Sequence, residues 1–276
     1  MRYLEKLRAA QEANDSWLCI GLDPQPERLP VEALKWDEPV LPFNRRIIDA
    51  TADLVCADKP NLGFYMQWGA AGVIALERTI AAIPSHIPVI LDAKIGDINH
   101  TQAAWGRGLF DEWHVDAITV NPYVGADAVG PLLAGRPDKA VYVLARTSNP
   151  GARQFQGDLD AGRGLSAEVL RTAGEWVASG DGHVGFVVGA TYPAELARAR
   201  ELAPEAGFLI PGVGAQGGEL GTAVIHGPDR LAGPVINSGR GILFASSGLD
   251  FAEAARSAAL ALRDEINALR RQHATD

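Results

Sequence analysis

The sequence alternates eight short apolar runs with helical segments, and this alternation constrains the fold more than any other feature. Apolar runs of this length are typical of parallel strands that are buried on both faces. The runs begin near Trp17, Leu54, Pro88, Asp116, Ala140, His183, Gly207 and Pro234. Helices are predicted from about residue 43 and at 69–83, 101–113, 126–134, 165–179, 193–202 and 251–269, with a long loop at 24–42.

Eight strands that alternate with helices predict an α/β fold, a (β/α)8 TIM barrel, formed as a single domain by residues 1–276. No linker or shift in composition divides the chain. A doubly wound open sheet is the alternative. It is weakened because no Gly-x-Gly-x-x-Gly motif follows an early strand.

The third apolar run ends in charged residues. Side chains alternate along a strand, so Asp92 and Lys94 share one face at its C-terminal end. Asp97 follows in the turn after Gly96, and Thr101 lies near the start of the next helix. A lone Asp-x-Lys pair would favour a structural ion pair, because charges at a buried strand end must neutralise one another.

Charged residues also end two other runs, with Asp23 after the first and Lys59 after the second. In a barrel the C-terminal ends of all strands face one mouth, where α/β enzymes place their chemistry. We therefore interpret Asp23, Lys59, Asp92 and Lys94 as parts of one active site.

The last two strands are followed by glycine-rich loops, and Arg240 comes directly after Gly239. This position in barrels frequently binds phosphate, because backbone N–H groups and an arginine can pair with its oxygens. Ser148 and Gln216 lie in the loops after the fifth and seventh strands. Each of these two residues alone would be an ordinary solvated loop residue.

Composition argues against several classes of protein. The net charge of −9 argues against a general nucleic-acid or membrane surface, although an anionic substrate needs only local donors. No apolar run approaches the roughly 18 residues that span a bilayer, and the N-terminus lacks an apolar signal region. A cytoplasmic protein is expected. The six histidines show no metal-ligand spacing, and Cys19 and Cys56 are expected to be small buried residues.

The sequence resembles the orotidine 5′-phosphate decarboxylase family. The resemblance rests on Asp92-Ala-Lys94-Ile-Gly-Asp97-Ile-Asn-His-Thr101, which matches the family pattern Asp-x-Lys-x-x-Asp-Ile-x-x-Thr. Supporting matches run in order along nearly the whole chain, and they are Asp23, Lys59, Ser148, Gln216, Gly239 and Arg240. The Leu-Asp-Pro, Lys-Pro-Asn and Thr-Ser-Asn-Pro-Gly segments are most similar to the longer bacterial branch. No role is carried over to Asn99 or His100.

The resemblance implies decarboxylation of orotidine 5′-monophosphate to UMP and carbon dioxide, without a metal or an organic cofactor. It also implies a homodimer with active sites at the subunit interface. Lys59, Asp92 and Lys94 are then expected from one subunit, and Asp97 and Thr101 from the other. Lys94 is the expected proton donor to C6 of the pyrimidine, with Asp92, Lys59 and Asp97 completing a network of alternating charge.

The resemblance also implies the binding residues. Asp23 and Lys59 are expected to bind the ribose, Ser148 and Gln216 the pyrimidine, and Gly239 and Arg240 the phosphate. Trp105 and Tyr123, in contrast, are expected to be packing residues and not to stack on the base.

Two other functions remain open at this point. A sugar-phosphate decarboxylase or aldolase of the same superfamily would bind magnesium and would need further carboxylates facing the metal. The second alternative is a non-catalytic barrel that binds a phosphate ligand. Loss of activity with EDTA would favour the magnesium-dependent enzyme, and absence of turnover would favour the non-catalytic barrel.

Overall fold

The computed structural model describes residues 1–159, 161–178, 180–213, 217–230 and 232–273. Within these residues, eight parallel strands form one sheet that curves into a nearly closed barrel. The strands are β1 (Leu18–Leu22), β2 (Ala57–Pro60), β3 (Ile90–Ile95), β4 (Ala117–Val120), β5 (Ala140–Arg146), β6 (His183–Val188), β7 (Phe208–Pro211) and β8 (Val235–Ser238).

Helices connect the strands and surround the barrel. They are α1 (Tyr3–Ala13), α2 (Val40–Thr51), α3 (Leu62–Met66), α4 (Gly69–Ala82), α5 (Asn99–Gly106), α6 (Gly130–Leu133), α7 (Leu165–Thr172), α8 (Pro193–Leu202), α9 (Gly217–His226), α10 (Arg240–Leu243) and α11 (Phe251–His273). A π-helical turn, Arg107–Glu112, continues α5, and short 3₁₀ turns lie at Pro26–Arg28 and Ala33–Lys35. None of the helices in the described residues is both long enough and apolar enough to cross a membrane.

The strands follow the order β2-β1-β8-β7-β6-β5-β4-β3 around the sheet. The two outer strands, β2 and β3, meet through isolated bridges that join Asp58 to Val89 and Asn61 to Asp92. The predicted (β/α)8 barrel is therefore confirmed, and the open-sheet alternative is wrong.

The barrel has a separate interior core. Small and medium side chains of alternate strand positions, including Cys19, Ala57, Ile90 and Ala117, pack together inside it. Both cysteines are buried free thiols, as expected. The other face of each strand packs against the helices, in a larger apolar cluster. Because the strands are covered on both faces, their sequences read as continuous apolar runs.

Helix α1 closes the N-terminal end of the barrel. Tyr3 and Leu7 belong to the interior core, and the Tyr3 hydroxyl lies 2.8 Å from that of Tyr142 on β5. The Lys6 ammonium binds the Asp116 carboxylate at 2.8 Å, just before β4. Helix α1 therefore covers this end of the barrel, opposite the end where the strands finish.

Several predicted boundaries differ from the structure. The predicted helix at 101–113 is an α-helix from Asn99 followed by the π-helical turn, and the one at 165–179 is α-helical only to Thr172. Helices α3, α9 and α10 were not predicted, because α3 and α10 are very short and α9 begins with glycines. The strands themselves begin or end within three residues of the predicted runs.

Candidate active site

The carboxylate of Asp92 is the centre of a hydrogen-bonded network at the C-terminal ends of β2, β3 and β4. Its Oδ2 accepts hydrogen bonds from Lys59 Nζ at 2.9 Å and Asn61 Nδ2 at 3.0 Å. Its Oδ1 accepts from Lys94 Nζ at 2.5 Å and Thr119 Oγ1 at 2.9 Å. As predicted, Asp92 and Lys94 lie on the same face of β3, and Lys59 faces them from β2.

Burial and charge together set the ionisation of this network. Burial raises the pKa of Asp92, but the adjacent Lys59 and Lys94 ammonium groups outweigh it and hold the pKa well below its usual range. Burial lowers the pKa of Lys59, but the Asp92 and Asp23 carboxylates outweigh that effect and leave the pKa raised. Asp92 and Lys59 therefore stay charged near neutral pH. Such a buried pair must be well paired, since an isolated buried charge is very costly.

A cavity of about 650 Å³ opens beside this network, at the ends of β1, β7 and β8. Asp23, Arg28, Gly239, Arg240 and Phe244 are among the residues that line it. Burial raises the pKa of Asp23, while the nearby Lys59 lowers it, so Asp23 connects the cavity to the charged network.

Two side chains suit this cavity to a ligand that carries both a hydrogen-bond donor and an anionic group. The buried Oδ1 of Asp23 has no hydrogen-bond partner among the described residues. The Arg240 side chain is exposed at the cavity wall. A Cβ atom at Gly21 would lie 3.2 Å from Asp23 Oδ2 and 3.4 Å from the Gly239 Cα. Glycine at 21 therefore allows β1 and the end of β8 to approach closely behind the cavity.

The exposed Ser148 lies at the mouth, in the loop after β5. Cβ atoms built at Gly189 and Gly212 would lie 3.2 Å and 3.9 Å from the Ser148 Cβ, so the loop lies over the ends of β6 and β7. Arg146, at the end of β5, anchors this loop through a buried ion pair to Glu195. Gln216 lies outside the described residues.

Asp97 and Thr101 do not join the network of their own chain. The Asp97 carboxylate accepts a hydrogen bond from the Ile98 N–H at 2.8 Å, and the Asp97 N–H donates to Gln102 at 3.2 Å. Thr101 is exposed on the first turn of α5. The structure thus brings together Asp23, Lys59, Asp92 and Lys94, and it places Asp97 and Thr101 on an adjoining surface.

Three further residues at the site were not predicted. Asn61 and Thr119 both donate to Asp92, and the Arg28 guanidinium lies 4.4 Å from the centre of the Phe244 ring at the cavity wall. Asn61 follows Lys59 by two residues, and Thr119 follows the interior Ala117 by two residues. Strand alternation could therefore have predicted that both side chains face the barrel interior. The sequence gives no such indication for Arg28, because it lies in the irregular loop after β1.

Among the described residues, no group of three or more His, Cys, Asp or Glu side chains is placed to hold a metal ion. The further carboxylates that a magnesium-dependent lyase would need are not gathered around Asp92 in this part of the chain.

Similar proteins share the whole architecture. A relative named orotidine 5′-phosphate decarboxylase from Thermomicrobium roseum is 48% identical over 276 residues, covering 99% of this chain and 97% of the relative. One of the same name from Azoarcus is 47% identical and covers 98% of this chain and 100% of the relative. The solved structure of Leishmania donovani OMP decarboxylase superimposes with a TM-score of 0.80 at 37% identity, covering 98% of this chain and 99% of that one.

The family model described as orotidine 5′-phosphate decarboxylase / HUMPS family matches residues 16–257, a span that contains β1 to β8 and every residue of the site. The match and the high identity of full-length relatives agree with the geometry of the mouth. The chain belongs to the orotidine 5′-phosphate decarboxylase / HUMPS family.

Proposed function

We propose that this protein decarboxylates orotidine 5′-monophosphate to UMP and carbon dioxide, the last step of de novo UMP synthesis. The observation that carries the proposal is the Lys59–Asp92–Lys94 array at the edge of a cavity that Arg240 lines. The names of the full-length relatives support the same reaction.

The chemical difficulty of this reaction is the carbanion. Loss of carbon dioxide leaves an electron pair at C6 of the pyrimidine, with no adjacent group that can delocalise it. Lys94 is the proposed proton donor, because its ammonium is hydrogen-bonded to Asp92 and its side chain is 46% exposed toward solvent. A fixed cation beside C6 stabilises the developing negative charge and then supplies the proton.

Asp92 is proposed to keep Lys94 charged and oriented. Its depressed pKa keeps it ionised at neutral pH. Because it is hydrogen-bonded to Lys94, it would also lie close to the departing carboxylate. Two unit charges at about 4 Å repel by roughly 4 kcal/mol at an effective dielectric constant near 20. That repulsion is relieved as carbon dioxide leaves. Lys59 holds the other Asp92 oxygen and completes the alternation of charge.

The remaining parts of the substrate are assigned to the cavity. The unpaired Oδ1 of Asp23 is proposed to accept a hydrogen bond from a ribose hydroxyl, with Lys59 as its neighbour. Arg240 and the Gly239 N–H are proposed to bind the phosphate. Binding energy from this remote group can help orient the pyrimidine at Lys94.

Ser148 and Gln216 are proposed to bind the pyrimidine. Support for Ser148 is its position over the ends of β6 and β7, beside the mouth. Support for Gln216 comes from the family resemblance.

We further propose a homodimer with shared active sites, in which a second copy of the chain supplies Asp97 and Thr101. Support comes from the position of Asp97 outside the network of its own chain. Trp105 and Tyr123 were expected to pack, yet within one chain they are 38% and 82% exposed. Ile98, which follows Asp97 in the sequence, and Val124 are also exposed, and exposed large apolar side chains of this kind support a subunit interface.

Two broader assignments complete the proposal. We propose that residues 1–276 act as one domain, which is supported by the family match across all eight strands. We also propose a cytoplasmic location. The free thiols of Cys19 and Cys56 support this location, because the cytoplasm is a reducing compartment.

The test is an assay of the purified protein with orotidine 5′-monophosphate, with and without EDTA. The proposal predicts UMP and carbon dioxide in equal amounts and the same rate after treatment with EDTA. A rate that EDTA abolishes would favour the magnesium-dependent alternative, and binding of the nucleotide without turnover would favour a non-catalytic barrel.

A further inference from the structure

Lys94 has an unusual backbone conformation for its residue type. Its φ is +49°, in the left-handed region. The other non-glycine residues with positive φ in the described part of the chain are Asp15, Asn99 and His114, which are types enriched in this region. Lysine has no such preference, and the conformation costs roughly 1–3 kcal/mol. The surrounding structure must therefore hold Lys94 in place.

The pairing of β3 with β4 shows where this restraint acts. Leu91 pairs with Ile118, but the next paired residues are Ile95 and Val120, so β3 contains two extra residues opposite Thr119. The bulge includes Lys94, whose backbone N–H donates to the side-chain Oγ1 of Thr119 at 2.9 Å.

The same hydroxyl also contacts Asp92. Thr119 Oγ1 lies 2.9 Å from Asp92 Oδ1, which also accepts the hydrogen bond from Lys94 Nζ. An ionised carboxylate only accepts, and a hydroxyl has one proton to donate, so the directions are fixed. Thr119 accepts from the Lys94 backbone and donates to Asp92. Its side chain is 1% exposed and β-branched, which restricts its rotation.

We infer that Thr119 is a positioning residue for the proton donor. One hydroxyl fixes the left-handed backbone of Lys94 and, through Asp92, the position of the Lys94 ammonium. This inference rests on the proposed function, since it concerns the geometry of proton transfer to C6. The hydrogen-bond partners given for this hydroxyl, Lys94 and Asp92, are not among the residues that line the cavity, so loss of the hydroxyl should lower kcat more than it changes KM.

The decisive variant is Thr119→Val, which keeps the shape of the side chain and removes the hydroxyl. We expect kcat to fall by about 10- to 100-fold, the effect of a misplaced reacting group, with KM within about threefold of wild type. Thr119→Ser keeps the hydroxyl and should restore kcat to within about threefold of wild type.

A matched control is Thr51→Val. Thr51 is also 1% exposed, and its hydroxyl donates to the Ile47 carbonyl within α2, away from the mouth. This variant should lose stability without loss of kcat. A crystal structure of Thr119→Val gives a readout that needs no activity, and we expect residue 94 to leave the left-handed region. If the Val variant does not fold, Thr119→Ala and Thr119→Ser supply the same comparison.

Three results would overturn the inference. They are an unchanged kcat in Thr119→Val, an equal loss in the Ser and Val variants, and an unchanged left-handed Lys94 in the variant crystal. An inactive wild-type protein would instead contradict the proposed function. An active wild type with a fully active Val variant would contradict this inference alone.

Discussion

Lys59 Nζ lies 2.9 Å from Asp92 Oδ2 in an enclosed ion pair, with the two side chains 5% and 11% exposed. The other Asp92 oxygen binds Lys94, whose side chain is far more open to the mouth. Asp92 therefore pairs with the enclosed Lys59 in the barrel wall and with the more exposed Lys94. We expect substitution of Lys59 to destabilise the protein more than substitution of Lys94.

We expect Lys59→Met to lower the free energy of unfolding by about 3 kcal/mol, because it leaves Asp92 buried with one of its two cations missing. Lys94→Met should lower it by less than about 1 kcal/mol, since Lys94 is partly exposed and its pairing is screened by solvent. Urea unfolding of both variants at neutral pH measures the difference. Equal losses would contradict the assignment of Lys59 as the structural partner.

Asp58 on β2 predicts a pH-dependent loss of stability. It is buried, its Oδ1 has no partner among the described residues, and burial raises its pKa to about 7 from an ordinary value of 3.8. Between these values the native state keeps a proton that the unfolded state releases, so this group's contribution to stability falls as pH rises.

Asp58→Asn removes this ionisation. The variant should therefore gain stability over wild type as the pH is raised from about 5 to about 8, by an amount measurable in urea unfolding. Asp138→Asn, the same substitution at an exposed carboxylate, is the control. A gain for Asp58→Asn that is independent of pH would show that Asp58 does not titrate in this range.

Arg240→Ala tests the phosphate end of the cavity. Loss of a charge-assisted pair worth roughly 1.5–3 kcal/mol should raise KM by about 10- to 150-fold and leave measurable turnover. Stability should change little, because the side chain is exposed. Arg240→Lys keeps the charge and should recover part of the affinity. An unchanged KM for orotidine 5′-monophosphate in Arg240→Ala would show that the phosphate does not bind to Arg240.

The alternation of side chains along a strand predicted that Asp92 and Lys94 share one face of β3. The two residues do lie together, and Asp23 and Lys59 join them because parallel strands end at one mouth. Periodicity assumes a regular strand, however. The bulge in β3 and the left-handed backbone of Lys94 depend on how β3 pairs with β4. The sequence pattern of one strand gives no information on that pairing.

Contacts between distant segments could be predicted only in part. Strand alternation indicates that Asn61 and Thr119 face the barrel interior, but their hydrogen bonds to Asp92 depend on the register between strands. Arg28 reaches the cavity from a 3₁₀ turn within the loop at 24–42, where proline and turn residues give no periodicity. The exposure of Tyr123 on a single chain reverses the usual preference for burial, and the proposed dimer would account for it.

The shared-site proposal is tested by mixing two inactive variants, Lys94→Ala and Asp97→Ala. If each site takes Lys94 from one subunit and Asp97 from the other, a hybrid dimer has one intact site. Random exchange makes about half of the dimers hybrid, so about a quarter of wild-type activity should return. The control is each variant alone under the same exchange conditions. No recovery after verified exchange would mean that both residues serve one site from one chain.

Lys94 is proposed to supply the proton to C6, and the turnover of orotidine 5′-monophosphate by Lys94→Ala tests this role. We expect kcat to fall by at least about 10²- to 10⁴-fold, the usual contribution of a general acid, while the protein stays folded and still binds UMP. Calorimetric titration with UMP shows that the cavity is intact. Near-normal turnover by a folded Lys94→Ala protein would show that Lys94 is not the proton donor.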